Sequence, residues 1–471
     1  MQRLHHHSTP IHAFAIVLFV ACAGFPHALG AEAAAPAIRA DRGEQSLDLA
    51  KLFDAVVDTV EQRFFDVTRL REVDWQAHAA AIRPFVLSAA STEDAVRRIN
   101  GLLSELKTSH TWLFTPDEYD YYALLDVVGG TDVAELMSRR FWGSGPYYPG
   151  IGAFTREMDG RHFVDGILEG SPAQRAGLKY GDEILSVDGT PYSPISAFRD
   201  KIGTTAELSI RRSSEADPQH LAVSVVPIRP TTAFSQATEA SARVIERNGS
   251  RVGYIHIWAS SESKSFGNAL SKLEMANVSD QTGGRRDSAG NIVATFNTPN
   301  AVPNGLKPID FLIVDMRGRV GGNIAVAGQF LDLMVEKQKP YWGSWRVIDR
   351  RDAAGRMVGA ARKPPFRGGS ALLIDHHTRS AAEIMAHGYK RGGFGTVVGT
   401  ATAGAVSSGA LFVMAGDLLL YVAVAGHEFD GNRLEGVGVI PDHRVERPLP
   451  YAAGADPVLD VAVEILTQTP K

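Results

Sequence analysis

Beyond residue 250 the chain repeats one pattern, and that pattern limits the folds open to it. Short apolar runs rich in β-branched residues, "VGYIHI" (252–257), "IDFLIVDM" (309–316), "SALLIDH" (370–376), "GTVVG" (395–399) and "LLLYVAVAG" (418–426), recur along this half. Between several of them lie stretches with helical spacing, such as "NIAVAGQFLDLMV" (323–335) and "AAEIMAHGYK" (381–390). The runs predict strands and the spaced stretches predict helices, so their alternation predicts an α/β core over 230–450. One stretch, 279–308, rich in Gly, Asn, Pro and Asp, breaks the alternation and reads as an exposed insertion. The chain has 471 residues, 44% of them apolar, which is enough to divide a large core among two or three domains.

Upstream the patterning changes twice. Over 47–125, "LAKLFDAVVDTVEQRFF" and "TEDAVRRINGLLSEL" carry apolar residues at three- and four-residue steps, and Ser91 or Thr92 can cap the second of these helices with Glu93 and Asp94 in its first turn. Over 146–229, "GIGAF", "FVDGILEGSPAQRAGL", "GDEILSVDGTPY" and "AELSIRRS" are short β-type runs separated by Gly and Pro turns, which predicts a small, mostly β module. Residues 451–471 complete the chain as a C-terminal helix and tail. At the other end, Arg3 precedes the run "AFAIVLFVACAG", too short to span a bilayer, and "ALG" stands ahead of Ala31. This is the outline of a secretory signal over 1–30, followed by an Ala, Pro and charge-rich linker over 31–46. The expected location is therefore exported, periplasmic or secreted. Cys22 is the only cysteine, which excludes an internal disulfide; lipidation of Cys22 is the one route to a membrane that the sequence offers. Basic side chains number 48 against 53 acidic, a formal charge of -5, with no long basic block, so nucleic acid is not an expected partner.

The stretch "SPAQRAGLKYGDEILSVDG" (171–189), with the Gly-rich loop before it and a late strand after it, resembles a PDZ domain. That resemblance implies that Gly150, Ile151, Gly152 and Ala153 offer backbone N–H groups to a peptide's terminal carboxylate while the peptide adds as a strand. Five further segments occur in one order: "LKTSHTWLF" (106–114), "IVDMRGRVGGN" (313–323), "LLIDHHTRSAAEI" (372–384), "VVGTATAG" (397–404) and "EGVGVIPD" (435–442). Together they resemble the C-terminal processing (tail-specific) serine peptidases and their tricorn-core relatives. The resemblance implies a ClpP/crotonase-like β/α peptidase fold with an N-terminal helical region and an inserted PDZ domain, no cofactor, and polypeptide substrates with free or flexible C-termini.

Within that frame Ser380 matches the nucleophilic serine. A serine between a strand end and a helix start projects its hydroxyl, and the amide of Ala381 can face a developing oxyanion. By local pattern alone, however, "SAAE" is a capping box in which Ser380 caps the helix and Glu383 reaches back. Many members of the family activate the serine with a lysine, and here Ala405 stands at that place. Lys390 lies ten residues along the same expected helix, roughly 15 Å away at ~1.5 Å per residue, and cannot replace it. The tricorn-like branch implies another base: His110, with Ser109 and Glu435, the carboxylate orienting the imidazole directly or through Ser109. The second oxyanion donor is expected from "RGRVGG", with Gly322 first and Gly321 as the alternative. Asp375, His376, His377 and His387 raise a metal reading, but a neighbouring His pair with one more distant His and no HExxH is weak, and no metal site is expected. His376 and His377 are instead expected to line the cleft. The resulting expectation is an exported serine endopeptidase acting near polypeptide C-termini through an acyl-enzyme on Ser380. The alternative is a non-catalytic protein that binds C-terminal peptides through its PDZ domain on a degenerate peptidase scaffold.

Overall fold

The structure, a computed structural model, describes residues 47–129, 133–142, 144–273, 285–286, 292–293, 309–318, 321–332, 345–350, 355–357 and 368–468. The expected signal and linker (1–46, with Cys22) lie outside these, as does nearly all of the 279–308 insertion apart from the short strand pair Arg285–Arg286 and Ile292–Val293.

The C-terminal half is built on a six-stranded sheet in the order Arg243–Arg247, Ser250–His256, Phe311–Asp315, Gly369–Ile374, Thr396–Gly399 and His443–Arg444. The first pair is antiparallel and all later pairs are parallel. Successive residues face opposite layers, both apolar. Ile255, Leu312, Val314, Leu372 and Ile374 meet Phe266, Phe330, Met385 and Tyr389 of the helices Lys264–Lys272, Ile324–Asp332 and Ala381–Gly392. Tyr254, Ile313, Ala371, Leu373 and Val398 meet Val458, Ala462 and Leu466 of the C-terminal helix Pro457–Gln468. A strand covered on both faces has no polar alternation to keep, which is why these runs read as continuously apolar.

A second sheet centres on the long strand Leu419–Phe429, flanked antiparallel by Ser408–Val413, Trp112–Phe114 and Trp345–Asp349. The N-terminal helices pack on it: Leu52, Phe53, Val56 and Val60 of helix Leu49–Arg63, with Ile99 and Leu103 of helix Thr92–Ser104, enclose Leu420 and Val422. Ser91 caps the latter helix through its Oγ, which accepts from the Asp94 N–H at 3.2 Å. The expected helical region over 47–125 therefore contains one strand, Trp112–Phe114, and its last helix runs on to Val127. That strand carries His110 and Thr111 on its approach, and Trp112 pairs with Tyr421.

The 146–229 module is a separate antiparallel sheet of Ala153–Met158, Arg161–Ile167, Glu183–Val187, Thr205–Arg211 and Gln219–Ser224 around its own core of Val164, Ile184, Phe198 and Leu208. Its two ends are zipped together, Tyr148 pairing with Ile228 and Gly150 with Val226, as expected of a module inserted into another domain. Among the described residues, no helix is long and apolar enough to cross a membrane.

Candidate active site

The strand Gly369–Ile374 ends in a tightly bonded turn. Asp375 Oδ1 accepts from the N–H groups of His377 (2.9 Å), Thr378 (3.1 Å) and Gly318 (3.3 Å), and the buried Thr378 hydroxyl donates to the Met316 carbonyl at 2.7 Å. Ser380 follows, its N–H donating to the Ala405 carbonyl at 2.7 Å, and helix Ala381–Gly392 begins after it.

Ser380 is not a cap. Its backbone sits at φ 57°, ψ -127°, far from the extended conformation of an N-cap, and its hydroxyl makes no capping hydrogen bond. A non-glycine residue held there costs on the order of 1–3 kcal/mol. Glu383 is committed mainly to the 402–405 loop, and the Ser380 amide is the least of the donors acting on its carboxyl. Its fully buried carboxylate accepts from Thr402 Oγ1 (2.5 Å), the Gly404 N–H (2.7 Å) and the Ala405 N–H (2.6 Å), fastening the helix start to the 402–405 loop. Burial pushes this carboxyl above its ordinary range, against the pull of those donors.

The Ser380 side chain lines a cavity shared with Ser109, His110, Gly321, Gly322 and Ala405. A Cβ placed on Gly321 would lie 3.7 Å from the Ser380 Cβ, so this glycine abuts the serine side chain. Gly322 is held at φ +127° by a short bridge in which the Ser260 N–H donates to the Gly321 carbonyl (2.7 Å) and the Asn323 N–H to the Ser260 carbonyl (2.8 Å). A Cβ on Gly322 would meet the Ser260 carbonyl oxygen at 2.6 Å, which is why glycine is needed. As the first residue of its helix, Ala381 has an N–H with no partner inside the helix.

His110 is 7% exposed, with its ring 5.2 Å from that of Tyr421. Its Nδ1 is 2.7 Å from Ser109 Oγ, and the Ser109 N–H donates to Glu435 Oε1 at 2.7 Å. Glu435 Oε2 accepts from Val406 (2.8 Å) and Ser407 (2.9 Å). Burial lowers the His110 imidazole to about 4, against the raising influence of Glu435. Burial works upward on Glu435, but the Ser109 amide and hydroxyl, the Val406 amide and His110 hold it below its ordinary value. The site is therefore a neutral imidazole linked through a serine to a charged carboxylate. No hydrogen bond joins His110 to Ser380 among the described residues; catalytic contacts in ligand-free sites are commonly loose.

Two features were not foreseen. Arg379 donates to Asp120 Oδ1 at 2.6 Å, and both line the cavity beside Ser380. Arg379 adjoins Ser380 in sequence, but nothing local marks Asp120 as its partner. His427 lies behind the site, with Trp345 Nε1 donating to its Nδ1 (3.1 Å) and Ser408 Oγ at 2.8 Å from its Nε2. One expectation changes. His376 and His377 do not line the Ser380 cavity; they face the 146–229 module. Lys390 is occupied elsewhere, its Nζ 2.8 Å from Asp442 Oδ1. Residues 150–153 also stand apart from the cavity, all buried, with the Ile151 carbonyl accepting from Ala173 and that of Gly152 from Leu168, each at 2.9 Å.

Comparison with known proteins fits this arrangement. The model of peptidase family S41 matches residues 251–445, and a PDZ domain model matches 163–212. Residues 251–445 belong to peptidase family S41. The matched region contains Ser380, Gly322 and Glu435, while Ser109 and His110 come from the N-terminal side of the inserted PDZ domain. The chain is 28% identical over 415 residues to tricorn protease homolog 2 of Streptomyces coelicolor, covering 83% of this chain and 30% of that protein. It is 26% identical over 321 residues to the carboxy-terminal processing protease CtpB of Bacillus subtilis, covering 65% of this chain and 57% of that one. The chain thus spans only about a third to just over half of these relatives. A crystal structure of a CPAF mutant aligns with a TM-score of 0.50 at 11% identity, over 89% of this chain and 98% of that one, a likeness of fold.

Proposed function

We propose that the chain is an exported serine endopeptidase that cleaves flexible polypeptides near their C-termini through an acyl-enzyme on Ser380. The observation that carries this reading is the strained, uncapped Ser380 facing the same cavity as His110. His110 is the base. If the Ser109 hydroxyl donates to Glu435, its oxygen accepts the His110 Nδ1–H, which leaves the Nε2 lone pair to take the Ser380 proton. Ser380 Oγ then attacks the scissile carbonyl carbon, and the carbonyl oxygen becomes an oxyanion met by the amides of Ala381 and Gly322, with Gly321 as the alternative donor. An imidazole with its pKa near 4 is a weak base in the resting cavity. The negative charge forming beside it, together with Glu435, favours the imidazolium as the reaction proceeds. The imidazolium gives its proton to the leaving amine, and the reverse sequence with water releases the acyl group. Gly150, Ile151, Gly152 and Ala153 of the PDZ domain receive the substrate's terminal carboxylate. Export rests on the 1–30 segment.

Labelling with a fluorophosphonate, with mass spectrometry of the modified peptide, tests the reading. The parent is expected to react at Ser380, and both Ser380→Ala and His110→Ala to lose that reaction together with cleavage of an unfolded polypeptide. A folded parent that stays unlabelled with C-terminal peptides present, yet binds them unchanged in His110→Ala, would instead make the chain a non-catalytic peptide-binding protein.

A further inference from the structure

Where the PDZ domain meets the loop leading into Ser380, four nitrogen- and oxygen-bearing side chains converge outside the cavity. His377 Nε2 lies 2.6 Å from Asp165 Oδ2, on the strand Arg161–Ile167. From the neighbouring strand, Arg156 donates through Nε to Asp165 Oδ2 (3.2 Å) and through Nη2 to Oδ1 and Oδ2 (both 3.1 Å). The same Nη2 contacts His376 Nε2 and stands 3.4 Å from His377 Nε2. The two imidazoles are 4.1 Å apart, centroid to centroid. One ligating atom from each of Asp165, His376 and His377 lies within 4.8 Å of the others.

This donor set suits a metal better than it suits a guanidinium. Arginine has no acceptor and imidazole has one lone pair, so the contact with His376 requires a neutral ring with its Nε2 lone pair aimed at the cation. That is the form in which histidine ligates a metal. Two imidazoles and one carboxylate match Zn²⁺ and its neighbours rather than Mg²⁺ or Ca²⁺, which prefer oxygen. At metal–ligand distances of about 2.0–2.2 Å, tetrahedral ligand atoms sit roughly 3.3 Å apart, so the widest pair here must close by at most about 1.5 Å and the His377 Nε2–Asp165 Oδ2 pair, at 2.6 Å, must open by about 0.7 Å. The obstacle is Arg156, and it can leave: its side chain is 33% exposed, and its charge is replaced by that of the incoming ion.

We propose that Asp165, His376 and His377 bind one divalent transition-metal ion of the Zn²⁺ class, and that the Arg156 guanidinium is its resident competitor. Binding joins the PDZ domain to the turn that ends at Ser380. The proposal does not rest on the peptidase reading.

Titration of the full-length chain with zinc chloride by isothermal calorimetry tests it, with the parent, Arg156→Met, His376→Ala, His377→Ala and the double variant Arg156→Met/His377→Ala. The polar tract His5, His6 and His7 is common to all five, so its contribution cancels. Arg156→Met removes the competitor while keeping an unbranched side chain, and is expected to bind one zinc at least ~10-fold more tightly than the parent. The double variant is expected to lose that ion, as are His376→Ala and His377→Ala relative to any binding by the parent. Visible absorption of Co²⁺ in Arg156→Met reads the same site independently, since tetrahedral nitrogen and oxygen ligation gives intense bands that the double variant should lack. The proposal is overturned if Arg156→Met binds zinc no more tightly than the parent, or if the tightened ion survives His377→Ala.

Discussion

Replacing Glu435 by glutamine tests the proposed relay at its far end without touching Ser380 or His110. Oε1 serves Ser109, while Oε2 serves Val406 and Ser407. A carboxamide has a single acceptor oxygen. If that oxygen stays with Val406 and Ser407, the NH₂ group confronts the Ser109 N–H, and one charge-assisted bond worth about 1.5–3 kcal/mol is lost. The catalytic cost comes from the imidazolium. Two hydrogen bonds separate the carboxylate from the imidazole, a span of roughly 5–6 Å. At an effective dielectric of about 20 their attraction is then about 3 kcal/mol. Losing it from the transition state alone predicts a drop of roughly 100-fold in kcat/KM, with most of it in kcat. Because Glu435 favours the protonated ring, its removal also moves the His110 acid limb below the parent's value of about 4. The assay is hydrolysis of a fluorescence-quenched unstructured polypeptide from about pH 3 to about pH 8, with circular dichroism and melting curves as controls. A folded Glu435→Gln protein within threefold of the parent would refute the relay, as would a parent acid limb near 6.5 that the substitution leaves in place.

Three further outcomes follow from the same geometry. His110 and His427 are both lowered by burial from 6.5 to about 4, so the unfolded chain binds the protons that the folded chain refuses. Stability should therefore be full above about 6.5 and fall as pH drops towards 4, by up to roughly 3 kcal/mol per histidine, read as a fall in the urea midpoint that His427→Asn makes shallower. His256 is raised to about 9: burial opposes its charge, but Glu169 at 2.9 Å and Asp315 outweigh it. Its contribution is present below 6.5 and lost as pH rises through about 9; Glu169→Gln should bring that alkaline loss closer to neutrality, measured by melting temperature against pH. Gly322→Ala puts a Cβ 2.6 Å from the Ser260 carbonyl oxygen and must displace the proposed oxyanion donor. The expected loss is about 10²–10³-fold in kcat with little change in KM, and an unchanged kcat would transfer the donor's role to Gly321.

How much of this was legible in the sequence depended on the range over which each residue finds its partner. The parallel sheet was readable because Leu312, Ile313 and Val314 are buried on alternate faces, so the run is apolar throughout. The strand Trp112–Phe114 was not, since three residues carry no period and their extended form is imposed by pairing with Leu419–Tyr421. Ser109, His110 and Glu435 were picked out by their places in a family's motifs, and the structure draws them together although 326 residues separate Ser109 from Glu435. Asp120 beside Arg379 and Asp165 beside His377, at separations of 259 and 212 residues, left no local trace. A lone aspartate in a helix or strand looks the same whether it faces water or an arginine.

The capping box shows how tertiary structure decides between two uses of one short motif. In isolation "SAAE" gains most when Ser380 is extended and its hydroxyl accepts from the Glu383 amide while Glu383 reaches back. Here the 402–405 loop competes for the same carboxylate with one hydroxyl and two amides, and charge-assisted bonds of about 1.5–3 kcal/mol each exceed what a cap returns. With Glu383 so engaged, the Ala405 carbonyl is positioned to accept the Ser380 N–H, which fixes the serine backbone from the other side. The strain at Ser380, on the order of 1–3 kcal/mol, is thus offset by bonds that Glu383 and Ala405 make together. Ala405 contributes through its backbone alone, so a change of its side chain can leave the Ser380 conformation intact. That is how this site can lack a lysine at residue 405 and still present its serine to a histidine from another part of the fold.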